Sequence, residues 1–171
     1  FANYLQHLET DNVQKALATT TRRLKHILRQ IPKKKWDYAY APGKWTLKEV
    51  FQHMLDTERV FSFRALWFSR NDPSPLPGFE ENNWASSVAI QHRPAKEIVK
   101  ELLLSRKLTR QFFKSLSPHE LHRKGQANGK LISVQTLGLL CAGHLAHHLN
   151  GIEAQYLNRP KKKKKSKGDG E

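Results

Sequence analysis

The sequence predicts an all-α fold, a four-helix bundle, on three observations. Four long segments repeat their apolar residues with a period near 3.6, no segment sustains the period-two alternation of a strand, and all four are bounded by residues that start or stop helices. A chain of 171 residues, 38% hydrophobic and 26% charged, is long enough for one domain that buries its own core without disulfides or an obligatory metal.

The first helix is expected from about Asp11 to Gln30. It sets Val13, Leu17, Thr20, Leu24, Ile27 and Ile31 on one face and Lys15, Arg22, Lys25 and Arg29 on the other, and Pro32 closes it. The second opens on Thr46-Leu47-Lys48-Glu49, a capping box in which threonine and glutamate satisfy free amides of the first turn. It should continue to about Arg70, where Asn71-Asp72-Pro73 stops it. A third begins near Pro94 and carries Ile98, Leu102, Leu108, Phe112 and Leu116 before Ser117-Pro118. Ser133 can cap the fourth, which reaches about Leu157 before Asn158-Arg159-Pro160. The link from Asn71 to Arg93, with Pro73, Pro75, Pro77 and Gly78, is too long for a simple turn and reads as a crossover or a lid. A crossover makes the third helix parallel to the second, an up-down-down-up bundle. Phe79 and Trp84 should fold this link back onto the bundle.

The net charge is +15; beyond Asn158 lie seven basic and two acidic residues, so the remaining 23 basic and 13 acidic leave +10 on the body. The division expected is a domain over 1–158 and a basic disordered tail over 159–171, dominated by Lys161 to Lys165. Elsewhere the positive charges are scattered, with Lys33-Lys34-Lys35 the other dense run, and no recognition motif stands among them. Nucleic acid is therefore not the expected partner, the tail alone leaving that role open. A single cysteine, Cys141, fits a reducing cytoplasm. No apolar run approaches the roughly 20 residues that span a bilayer.

Histidines carry the chemistry. His144 and His148 stand at i and i+4, so both imidazoles can reach one ion. At about 100° per residue, with His144 at zero, Leu137, Cys141, Val134, Ile152, Leu145 and Tyr156 fall between roughly +20° and +120°, and His148 near +40° lies inside that arc. His147, near −60°, lies outside it. His53 sits at the margin of the second helix's apolar stripe, and its depth matches His148 within a few ångströms if the two helices run antiparallel. Imidazole suits Zn, Ni, Cu and Fe, and three protein ligands leave a position for water or substrate. Leu145 after His144 breaks the His-Glu-x-x-His arrangement of zincin proteases. Cys141 shares the ligand face and is either a further ligand or a small buried apolar side chain. Asp56, Glu58 and Glu153 are near enough in sequence to hold a ligand imidazole in one tautomer, against the ordinary reading of exposed helix carboxylates. Arg64 would either meet a substrate carboxylate or pack on the crossover. His7, His26, His92, His119 and His122 read as surface residues.

The string Pro42 to Arg59, then Arg64-Ala65-Leu66, Leu76-Pro77-Gly78-Phe79 and Ala142-Gly143-His144-Leu145-Ala146-His147-His148, closely resembles the DinB/YfiT-like superfamily over nearly the whole chain before the lysine tail. That resemblance implies an up-down-down-up bundle holding a divalent metal, zinc or nickel, at His53, His144 and His148. It also implies a metal-dependent hydrolase or, with a low-molecular-weight thiol such as bacillithiol or mycothiol, a thiol transferase or isomerase. A small-molecule substrate, a homodimer and a cytoplasmic setting follow from the same resemblance. Two further readings stay open: a metal-binding bundle without catalysis, and a basic nucleic-acid-binding bundle whose histidines only stabilise it.

Overall fold

The computed structural model describes residues 2–157; the basic tail expected over 159–171 lies outside the described residues. A short helix α1 (Ala2–Leu5) precedes α2 (Val13–Leu28), α3 (Leu47–Ser69) and α4 (Glu81–Ser87). Then come α5 (Ala95–Ser115), α6 (Pro118–His122), a hairpin of β1 (Lys124–Ala127) and β2 (Lys130–Ser133), and α7 (Val134–Gly151), which runs into a π-helical turn, Ile152–Leu157. The long helices α2, α3, α5 and α7 are the four expected from periodicity. Among the described residues no helix is long and apolar enough to cross a membrane.

Local chemistry sets the helix starts. Asn12 Oδ1 accepts from the Lys15 amide at 2.9 Å, so α2 begins at Val13, two residues later than expected. The Thr46–Glu49 capping box is formed in both directions, with Glu49 Oε2 2.6 Å from the Thr46 amide. Ser133 Oγ accepts from the Thr136 amide and starts α7.

The hairpin departs from the all-α expectation. Its strands are four residues each, paired antiparallel from Lys124↔Ser133 to Ala127↔Lys130, too short for period-two patterning to register. The signal present was the turn itself: Asn128 and Gly129 both take positive φ (50° and 70°), the conformation an Asn-Gly hairpin turn needs. Gly125 lets this hairpin press on α3, since a Cβ there would stand 2.0 Å from Phe68 Cδ1. Leu76 of the crossover in turn bonds the hairpin, its amide to the Gln126 carbonyl at 2.9 Å and its carbonyl to the Asn128 amide at 3.0 Å. The crossover is thereby tied to the bundle, as Phe79 and Trp84 led us to expect.

Two apolar clusters form the core, one around Leu17, Phe61, Phe68, Phe113 and Leu137, the other around Leu24, Phe51, Met54, Leu102 and Leu149. Along every long helix a buried polar group separates them: Thr20 and Thr21 in α2, Thr57 and Glu58 in α3, Arg106 and Thr109 in α5, His144 in α7. This polar layer corrects the expected face of the third helix. Leu108 is 70% exposed, and Arg106, wholly buried, points inward in its place. An arginine is ordinarily read as surface, and the facing carboxylate of Glu58, 3.0 Å from Arg106 Nη2, together with the Cys141 carbonyl makes its burial tolerable.

Candidate metal centre

His53 lies in the second turn of α3, and His144 and His148 lie one turn apart on α7. Their Nε2 atoms converge: His144 Nε2 is 3.0 Å from that of His53 and 3.0 Å from that of His148. One ligand atom from each ring lies within 4.8 Å of the others. Side-chain rings form the walls. Trp45 lies 4.9 Å from His53 between ring centroids, Phe61 6.0 Å and Tyr4 5.1 Å from His144. Tyr4 reaches there because Gly143 has no side chain, for a Cβ would stand 2.5 Å from the Tyr4 carbonyl oxygen.

The three rings are held neutral. Burial pushes His53 down to about 4 and His148 down to about 3, and neighbouring histidines add to both shifts. Burial also lowers His144 well below its ordinary value, reinforced by His148, His53, His147 and Arg106. Neutral imidazoles have one lone pair and one N–H each, and a single Nε2–H on His144 can be donated to one neighbour only. Three convergent Nε2 atoms cannot satisfy one another, whereas a cation accepts all three lone pairs. The donor set therefore fits a divalent metal ion.

A cavity of about 310 Å³ opens beside His148, lined in part by Tyr40, Lys44, Trp45, Asn82, Gln155 and Tyr156. Helix α4, which contributes Asn82 to this cavity, places Glu81 Oε2 3.9 Å from His53 Nε2.

The other residues singled out from sequence go elsewhere. Asp56 accepts from Gln52 Nε2 at 2.9 Å and faces Arg59. Glu58 is buried against Arg106, and Glu153 pairs with Arg23 at 2.5 Å. None of the three bonds a ring of the cluster: Asp56 is held within α3 by Gln52 and Arg59, and Glu58 and Glu153 each turn to an arginine of another helix. Arg64 donates to the Pro77 carbonyl at 2.6 Å and lies over Phe79, so it braces the crossover. Cys141 is buried outside the histidine group, its carbonyl accepting from Arg106 Nη2 at 2.9 Å. Burial, with Glu58 nearby, drives its thiol far above the ordinary range. His147 is exposed, with Nδ1 3.2 Å from His7 Nε2. Sequence reasoning missed Glu81, Tyr4 and Trp45 as neighbours of the rings. Only Trp45, beside the capping box, carried a local signal.

A helical bundle with three converging histidines, two buried and one half-buried, is thus the class of protein that fold and site define. Residues 16–152 match the sequence profile of the DinB superfamily, and the chain belongs to that family. Among solved structures it is similar to one described as "YfiT from Bacillus subtilis is a probable metal-dependent hydrolase with an unusual four-helix bundle topology", with a TM-score of 0.66 and 16% identity over 83% of this chain and 84% of that one. At that identity the likeness speaks for the four-helix bundle fold alone. Among curated proteins none matches the chain.

Proposed function

We propose that this chain is a metal-dependent hydrolase of a small molecule, with His53, His144 and His148 as the metal ligands. The observation that carries the reading is the meeting of three neutral Nε2 atoms beside a cavity large enough for a substrate. The description of the B. subtilis structure as a probable metal-dependent hydrolase supports it. When bound, a divalent ion supplies Lewis-acid polarisation of a scissile carbonyl and brings water to reactivity near neutral pH. The chain's own residues do the rest. The rings keep their lone pairs available down to acidic pH. Trp45, Tyr40 and Tyr156 give the cavity aromatic walls, and Tyr156 is fixed by donating to the Trp45 carbonyl at 2.6 Å. Lys44, exposed at the same cavity, offers a cation to an anionic substrate group.

The up-down-down-up order belongs to the same reading. Partners along α3 and α5 advance together, Glu58 with Arg106 and Ser62 with Thr109. Those along α3 and α7 run oppositely, His53 beside His148 and Phe61 beside His144. That order is what brings one turn of α3 level with one turn of α7.

Thiol transfer is the alternative the same centre could serve, but Cys141 would not be its nucleophile, since the thiolate is suppressed by burial. The thiol would come from a separate small molecule. Isothermal titration with Zn²⁺ and Ni²⁺ is expected to show binding by the wild type and a large loss in His148→Ala; equal affinity in both removes the centre. Chelator-sensitive turnover of esters or amides, without added thiol, separates hydrolysis from thiol transfer.

A further inference from the structure

A dication among three neutral imidazoles, with the buried guanidinium of Arg106 close enough to act on His144, would be an uncompensated charge in a largely buried site. A carboxylate should answer it, and most of those near the rings are committed. Glu49 closes the capping box, Asp56 is held by Gln52 and Arg59, Glu58 by Arg106, and Glu153 by Arg23. Glu81 is different. Its Oε2 is 3.9 Å from His53 Nε2, and its charge is also felt by Tyr4 and His147, which flank His144 and His148. The segment carrying it is braced: Arg64 grips the Pro77 carbonyl, Phe79 packs on Trp84 at 4.7 Å between centroids, and Leu76 is bonded into the hairpin. The Glu81 side chain itself is 53% exposed, with three rotatable bonds to bring an oxygen over the rings.

We propose that Glu81 is a fourth protein ligand, a carboxylate carried by the crossover helix α4 that closes the outer face of an ion held by His53, His144 and His148. This rests on the three-histidine reading. Three nitrogens and one carboxylate oxygen form a donor set that zinc accepts, and the ionised carboxylate lowers the net charge of the centre from +2 to about +1. Nothing but coordination is exchanged: a substrate group entering from the cavity beside His148 displaces the carboxylate, which returns to solvent still ionised. Glu81 would then act as a removable cover that halves the charge of the centre between turnovers.

The test is Zn²⁺ affinity, by competition with a coloured chelator, for wild type, Glu81→Gln, Glu80→Gln and His148→Ala. Glu80 is the exposed neighbour of like charge and controls for a long-range field. Glu81→Gln is expected to bind Zn²⁺ at least about tenfold more weakly, the scale on which supporting groups at metal sites act, while Glu80→Gln stays at the wild-type value. Wild-type affinity in Glu81→Gln, or an equal loss in Glu80→Gln, overturns the proposal. Failure of the centre itself reads differently, as equal binding by wild type and His148→Ala. Unchanged circular dichroism in Glu81→Gln secures the comparison, and its exposure gives no reason for unfolding.

Discussion

Arg106 and Glu58 show most sharply how one residue's meaning depends on what faces it. Both are charged, both are buried, and their contact lies in the layer that splits the core. Removing one partner strands the other, at a cost of about 3–5 kcal/mol, whereas replacing both by apolar residues of similar size is often neutral or better. Arg106→Met should therefore lower the urea midpoint strongly, and Arg106→Met with Glu58→Leu should recover most of the loss; a double variant no better than the single would show that the ion pair is not the cause. The histidines make a second prediction. In the unfolded chain each ring takes a proton near the ordinary value of about 6.5. In the fold His53 refuses it until about 4 and His148 until about 3. Between those values the unfolded state holds more protons, so stability is complete above the unfolded value and falls as pH drops through this window, by up to about 1.4 kcal/mol per pH unit for each ring. Chelator-treated protein should melt lower at pH 5 than at pH 7, and His148→Ala should flatten that slope. The histidine pair on α7 was legible because i,i+4 spacing is a property of one helix. The pairing of Arg106 with Glu58 was not, since the two lie on different helices and neither has a periodicity that announces the other.

At the scale of the element, starts and stops were the most readable features. Asn12, Thr46 and Ser133 cap their helices as their side chains dictate. The rotation of α5 was misjudged because Leu108 and Phe112 looked more core-like than Arg106 and Thr109, and hydrophobicity alone decided the face. Short elements escaped: the hairpin has too few residues for a period, and α1 is a single turn held by contact. That contact is testable. Gly143→Ala places a methyl against the Tyr4 backbone, so α1 should detach from α7 and the first residues become open to limited proteolysis, with α7 still helical. Digestion as slow as in the wild type would show that α1 is not seated by Gly143.

Across the whole molecule, two apolar clusters supply the fold, and the histidines are not among the residues that build them, His144 alone standing between the two. Stripping metal should therefore leave the helical circular dichroism intact. Adding Zn²⁺ at 100 times its dissociation constant should raise stability by about 2.7 kcal/mol through mass action, read as a higher melting temperature. Collapse of the chelated protein to an unfolded spectrum would show instead that the ion is structural. By itself the sequence determined the four long helices, the caps Thr46 and Ser133, the i,i+4 histidine pair and the presence of a long link between α3 and α5, because each of these is a periodicity or an end signal within a few consecutive residues. Only the tertiary structure decided that His53 meets that pair, that Arg106 is buried on Glu58, that Asp56 and Glu153 turn away, and that Glu81 approaches His53. Those outcomes depend on which faces of separate helices come to the same level, and helix packing sets that through contacts between residues far apart in the chain.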